Sequence, residues 1–307
     1  MTVRLAGAET AISDGPPTVD FPPVQPDLGR YRAAVGELAA EIGRYDRADG
    51  ATAERIVARR LRDEPFADVL AATPGGLEDA AGRLLFEVRN HLPGPPGRSA
   101  GLASMTRISL LAQIDAAWWG SVPAYRTDSD VLTCPDLVDL DDLGGAGQIR
   151  FTYRRQAMTL WHRAARSAQR RALPGRAPRT AGMWLAMTRP PVLAWLNELA
   201  EDFARLAPAG TPPLWVTSLT RSAAHQRHLR ALGYVALIPS AHCTGHAADI
   251  EVAWYRRFRA HRILRGLLLD RQRAGEANVI DEGQAWHVCL HPRLMTGRRR
   301  MRGPAGG

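Results

Sequence analysis

The sequence SAHCTGHAADIEV, at residues 240–252, combines metal-binding side chains with the pattern of a loop that leads into a strand. His242 and Asp249 are seven residues apart. In an α-helix they would be separated by roughly 10 Å, too far to share one ion easily. A turn at Gly245 followed by an extended segment would bring them together, with Asp249 on one face of the strand and Ile250 on the other. The stretch therefore predicts a histidine and a carboxylate at a common site beside a sheet.

A second stretch, AWHVCL at residues 285–290, supplies a third candidate ligand. Alternation along a strand places His287 on one face and Trp286 on the other, against a core. We expect His287 to lie on the open side of the sheet and, if this strand neighbours that of Asp249, to meet His242 and Asp249. Two imidazoles and one carboxylate leave a position for water, which is the pattern of catalytic zinc. The prediction is a mononuclear Zn²⁺ site.

These motifs resemble the D-alanyl-D-alanine carboxypeptidase and dipeptidase metallopeptidases of the VanX type. That family belongs to a broader group with lysostaphin-type enzymes and the hedgehog signalling domain. The resemblance rests on SxHxxGxAxD at residues 240–249, on the Trp286-His287 pair and on VTSLTRSAAHQ at residues 216–226, and it is limited to about residues 212–292. It implies a small zinc-peptidase domain that acts on D-amino-acid-containing peptides, such as peptidoglycan fragments.

The resemblance also implies roles for side chains around the metal. Arg221 matches an arginine that steadies the scissile carbonyl or the tetrahedral oxyanion. Ser240 matches a serine that contacts substrate, and Gln226 matches a glutamine on the helix that follows the arginine. We therefore expect Arg221 to act in catalysis and Ser240 and Gln226 to act in substrate binding.

One position departs from the family pattern. The general base of the family is a glutamate three residues before the last zinc histidine, and this chain has Gln284 there. Glutamine cannot accept a proton, and loss of a general base typically lowers a rate by about 10²–10⁴-fold. Glu282 or Asp281 could replace it if the loop bulges. The alternative is a catalytically impaired zinc-binding relative that serves as a structural or ligand-binding module.

Composition limits the remaining function classes. The chain has 307 residues, 45% of them hydrophobic, and a net charge of +9. It contains no lysine, so every positive side chain in that count is arginine. We do not expect a nucleic-acid partner, because no helix-turn-helix, zinc-finger or aromatic RNA-binding motif is recognisable. The three cysteines form no disulfide framework. No signal peptide is recognisable, and the most apolar stretch, residues 108–122, is short and interrupted by Asp115. We expect a cytoplasmic protein without a membrane span.

Periodicity predicts an α+β chain that is mainly helical before a small antiparallel sheet. We expect a disordered lead-in at 1–27, a helical region of unknown role at 28–205, the zinc-peptidase-like domain at 206–293 and a basic flexible tail at 294–307. Apolar spacing predicts helices at 31–61 with a break near 49–53, and at 77–91, 104–119, 153–172, 190–206 and 263–273. Strands are predicted at 214–218, 249–254 and 286–290.

Overall fold

The computed structural model describes residues 26–45, 50–91, 101–144, 147–156, 175, 177–178, 180, 182–233, 236–283 and 285–296. Within them the chain is α+β, with a helical region followed by a four-stranded antiparallel sheet and its helices. This is the predicted fold class. The lead-in, except for its last two residues, lies outside the described residues, as do Gln284 and the tail beyond residue 296.

Among the residues described, five helices form the first region: α1 (Leu28–Gly43), α2 (Gly50–Arg60), α3 (Phe66–Ala71), α4 (Gly76–Arg89) and α5 (Leu102–Trp119). The sequence predicted all but α3. The side chain of Asp27 accepts hydrogen bonds from the first backbone amides of α1, which fixes where that helix begins. The hydroxyl of Tyr31 donates to the carbonyl of Leu110 at 2.6 Å and ties α1 to α5.

The sheet has the strand order β3-β4-β6-β5, and all neighbours are antiparallel. Its strands are β3 (Val216–Ser218), β4 (Ala247–Glu251), β5 (Ala277–Asp281) and β6 (Ala285–Leu290). Three of them overlap the predicted strands, whereas β5 was not predicted. β4 ends at Glu251 because the chain turns there into a short 3₁₀ helix, Ala253–Phe258, where the sequence predicted three more strand residues.

Further helices surround the sheet. They are α8 (Pro190–Leu206), α9 (Ala223–Ala231) and α10 (His261–Arg273), and the side chain of Ser222 caps α9. Shorter elements complete the described chain: α6 (Asp128–Leu132), α7 (Leu140–Leu143), α11 (Arg293–Thr296) and the paired strands β1 (Val138–Asp139) and β2 (Met187–Thr188). Residues 153–156, the first of the basic helix predicted at 153–172, are non-helical, and Arg155 pairs with Met183. The rest of that predicted helix, residues 157–172, lies outside the described residues.

The sheet separates two hydrophobic cores. On one face Ile250 and Val288 pack with α8 and α10. On the opposite face Ile280 and Cys289 pack with the helical region, above all with α5. We expected this second face, which carries His287, to be open. It is covered because α5 lies across it, and the indole nitrogen of Trp119 donates to the carbonyl of Leu290 at 2.8 Å.

No helix in the described part of the chain is both long enough and apolar enough to cross a bilayer.

The shared core predicts that the helical region and the sheet unfold together. Replacing Ile280 with Ala removes a buried strand side chain that packs on the helices, so the free energy of unfolding should fall by about 2–5 kcal/mol. Urea unfolding followed by circular dichroism at the helix band should show one transition at a lower midpoint. The control is Ile238→Ala, whose side chain is 45% exposed and which should change stability by less than about 0.5 kcal/mol. A helix signal that keeps the wild-type midpoint in Ile280→Ala would contradict a shared core.

Candidate metal centre

Local backbone structure brings His242 towards β4. His242 lies in a short 3₁₀ helix, Ala241–Thr244, whose first turn is capped by the side chain of Ser240. Gly245 ends that helix with a φ of +78°, a conformation that strongly favours glycine. The chain then enters β4, where Asp249 is the direct partner of His287 on β6. The predicted strand pairing is therefore confirmed, and it places the three side chains together.

Three potential ligand atoms converge at this point. The distance from His242 Nε2 is 3.0 Å to Asp249 Oδ1 and 3.1 Å to His287 Nδ1, and the last two atoms are 3.3 Å apart. Tetrahedral ligands held about 2.0–2.2 Å from zinc are separated by about 3.3–3.6 Å. All three side chains are buried. The group could therefore hold a metal ion.

Hydrogen bonds on the far side of each imidazole fix which nitrogen faces the site. His242 Nδ1 lies 2.7 Å from the carbonyl oxygen of Leu219, which can only accept, so Nδ1 carries the proton and Nε2 presents its lone pair. His287 Nε2 donates to Asp115 Oδ2 at 2.8 Å, so Nδ1 faces the other ligand atoms. With both imidazoles neutral, two ring nitrogens and a carboxylate oxygen meet without a donor of their own, so a proton on His287 Nδ1 or a bound cation has to offset their repulsion.

The charges around the group suit metal binding. Burial, followed by the positive charge of Arg221, lowers the pKa of His242 to about 4, which keeps this imidazole neutral at pH 7. Burial opposes ionisation of Asp249, but His242 and Arg221 together hold its pKa well below the usual value. Burial also opposes a charge on His287, yet its bonds to Asp115 and Asp249 raise its pKa well above the usual value. A metal would have to displace the proton held by His287.

Arg221 fixes the orientation of Asp249. Its guanidinium donates to Asp249 Oδ2, to Ser218 Oγ at 2.7 Å and to Gln226 Oε1 at 3.2 Å. The amide nitrogen of Gln226 in turn donates to the carbonyl of Leu237 at 3.1 Å. Oδ1 of Asp249 is thereby left to face the two histidines. Both polar atoms of Gln226 are bound by protein, so its predicted contact with substrate would require it to exchange a partner.

The neighbouring carboxylates Glu282 and Asp281 differ sharply. Glu282 is half-buried and borders the same space as His287 and Asp249. Burial, together with the negative charge of Asp249, raises its pKa to about 7. Asp281 instead accepts a hydrogen bond from the backbone amide of Gly283 at 2.8 Å and stabilises the turn between β5 and β6. Gln284 lies outside the described residues.

The group opens into a cavity of about 370 Å³ between α5 and the sheet. Every predicted site residue that the structure describes borders this cavity: Arg221, Gln226, Ser240, His242, Asp249, Glu282 and His287. Apolar side chains form much of the remaining wall, including Trp119, Pro123, Leu237, Ile238 and Ile280. The arrangement thus combines a polar floor with apolar sides, as in many small-ligand sites.

Asp115 is the site residue that sequence reasoning missed. The sequence marked it only as the acid that interrupts an apolar stretch, yet it lies in α5 and binds His287 directly. A buried carboxylate on an apolar helix requires a partner, and that requirement was the available signal. The ring of His246 stacks on Trp119 with centroids 3.5 Å apart, and its Nδ1 lies 2.8 Å from Thr244 Oγ1, so His246 supports a side chain of the cavity wall.

Fold and site together define an α+β protein with a buried pair of histidines and an aspartate in position to bind a metal. Comparison with protein-family models, with curated proteins and with solved structures finds no match for the chain.

The converging ligand atoms predict one metal ion per chain. Protein purified after exposure to zinc and dialysed should contain about one equivalent by elemental analysis. His242→Ala and Asp249→Ala should each lose it, because two ligands rarely hold zinc against dialysis. His228→Ala is the control, since His228 is not part of the group. Wild-type protein without metal, or variants that keep a full equivalent, would contradict this assignment.

Proposed function

We propose that the chain is a zinc-dependent peptidase-like hydrolase acting on D-amino-acid-containing peptides, such as peptidoglycan fragments, as a carboxypeptidase or dipeptidase. The observation that supports this most is the position of Glu282, a carboxylate with a raised pKa that borders the same cavity as the three ligand side chains. A proton acceptor beside an open metal site is the arrangement that metal-assisted hydrolysis requires.

The donor set favours zinc. Imidazole nitrogens with one carboxylate oxygen suit Zn²⁺, whereas magnesium and calcium prefer oxygen ligands throughout. Three protein ligands also leave a coordination position free, as in catalytic zinc sites. When bound, the ion would polarise the scissile carbonyl and make a water molecule more acidic.

Glu282 and Arg221 would supply the remaining chemistry. The carboxylate of Glu282 would accept a proton from the attacking water and pass it to the nitrogen of the leaving amine. The guanidinium of Arg221 borders the cavity, and its positive charge would stabilise the oxyanion of the tetrahedral state. Arg221 would do this while still holding Asp249, because both groups lie at the same end of the cavity.

The cavity is compatible with a small peptide. Its volume of about 370 Å³ lies at the lower end of the range that small-molecule pockets span, about 300–1,000 Å³. The apolar wall, which includes Trp119 and Ile280, offers contacts to methyl groups such as those of alanine. The class of substrate is inferred from the resemblance of the sequence motifs. The size and polarity of the cavity are compatible with that class.

A second function is a catalytically impaired zinc-binding module. It is favoured by one fact of the sequence, the glutamine at position 284 where the resembled peptidases carry glutamate. In that case the metal would stabilise the fold or bind a ligand, and Glu282 would contribute to neither proton transfer nor turnover.

Substitution at Glu282 separates the two functions. Glu282→Gln should lower release of D-alanine from D-Ala-D-Ala or from muropeptides by about 10²–10⁴-fold, because the base is lost, while zinc content stays unchanged. Asp281→Asn is the matched control, since that carboxylate binds Gly283 and should leave kcat within a few-fold. Wild-type protein that holds zinc but releases no D-alanine supports the module, and Gln284→Glu would then test whether hydrolysis can be gained.

The same carboxylate predicts a pH dependence. Glu282 acts as a base only when it has lost its proton, so kcat/KM should rise with pH through its pKa and then level. That pKa is about 7 without a metal, and the positive charge of a bound ion would move the midpoint lower. The profile should lose this rising limb in Glu282→Gln. An unchanged limb in the variant would assign the titration to another group.

A further inference from the structure

We infer that the N-terminal helical region is a working part of the metal centre, because Asp115 of α5 positions His287 so that Nδ1 is its metal-binding atom. This inference rests on metal binding by the group formed by His242, Asp249 and His287. It gives a role to a region for which the sequence suggested none, and it names a positioning residue remote in sequence from the resembled motifs.

The contact is direct and buried. Asp115 is 5% exposed, and its Oδ2 accepts the Nε2 proton of His287 at 2.8 Å. A neutral imidazole that donates from one nitrogen presents a lone pair on the other, so in the metal-binding form the bond selects the tautomer. It also fixes the plane of the ring, since the second nitrogen must then point towards Asp249 and His242.

Asp115 is itself held in place from two further elements. Its Oδ1 accepts a hydrogen bond from Asn278 Nδ2, on β5, at 2.9 Å. The same amide group donates to the carbonyl of Leu111 at 3.0 Å, and Asn278 Oδ1 accepts from Arg32, on α1, at 3.2 Å. A chain of hydrogen bonds therefore runs from α1 through β5 and α5 to the imidazole on β6.

The charge of Asp115 has a second effect. A carboxylate hydrogen-bonded to the far nitrogen of a ligating imidazole makes that imidazole a stronger donor, and removing such a partner typically weakens metal binding about 10–100-fold. A carboxylate with a purely structural role would leave the strength and the geometry of metal binding unchanged once the protein has folded. These two roles therefore differ in a property that can be measured without turnover.

The test compares zinc binding by the full-length chain and three variants. Asp115→Asn keeps the size of the side chain and removes its charge, and Asn278→Ala removes a bond that holds Asp115 while leaving its charge. Ser109→Ala is the matched control, because Ser109 is buried in the same helix and its hydroxyl donates to Met105 Sδ, away from Asp115 and His287. Zinc affinity is measured by competition with a chromophoric chelator, and circular dichroism establishes that each variant is folded.

Long-range ¹H–¹⁵N spectra of the zinc-loaded protein report which nitrogen of His287 binds the ion. We expect Nδ1 to be bound and Nε2 to be protonated in the wild type. Zinc affinity should be about 10–100-fold weaker in Asp115→Asn, reduced less in Asn278→Ala and unchanged in Ser109→Ala. Asp115→Asn and Asn278→Ala each test the positioning role, so the experiment remains decisive if one of these variants does not fold.

Two failures can be told apart. Wild-type protein that binds no zinc would overturn the proposed function and this inference with it. Wild-type protein that binds zinc, with equal affinity in folded Asp115→Asn or with Nε2 of His287 as the bound atom, would overturn only the positioning role of Asp115.

Discussion

The antiparallel pairing of β4 with β6 sets Asp249 directly opposite His287, and the candidate metal centre depends on that register. A slip of one residue would turn one of these side chains to the other face of the sheet. The register is held from both faces, because Ile250 and Trp286 pack into one core while Ile280 and Cys289 pack into the other. Hydrophobic burial on both sides of the sheet thus specifies the position of two polar side chains.

The charge balance of the site follows from that register. The carboxylates of Asp115, Asp249 and Glu282 surround the imidazoles. The guanidinium of Arg221 binds the carboxylate of Asp249 directly. The excess of negative charge contributes to the raised pKa values of Glu282 and His287. A divalent ion would neutralise the negative charge that Arg221 does not balance. Its positive charge would also lower the pKa values of Glu282 and His287.

Sequence patterns predicted the parts of this site that are local. The spacing of His242, Gly245 and Asp249 within one loop and strand indicated the first two ligands, and alternation on the last strand indicated the face of His287. Asp115 was beyond such reasoning, because it meets His287 only through the packing of α5 on the sheet. The same holds for the choice between Glu282 and Asp281, because β5, the strand that leads into both residues, was not predicted from the sequence.

Helix α5 has two attachments to the site that lie within one turn of each other. Ala116 and Trp119 form part of the cavity wall, while Asp115 holds the imidazole of His287. An outward shift of α5 that widens the cavity would stretch the bond to His287 as well. For an ion bound by the three side chains, metal affinity would then be thermodynamically linked to ligand size. The coupling would act in both directions, because a tightly held ion would resist opening and an oversized ligand would loosen the ion.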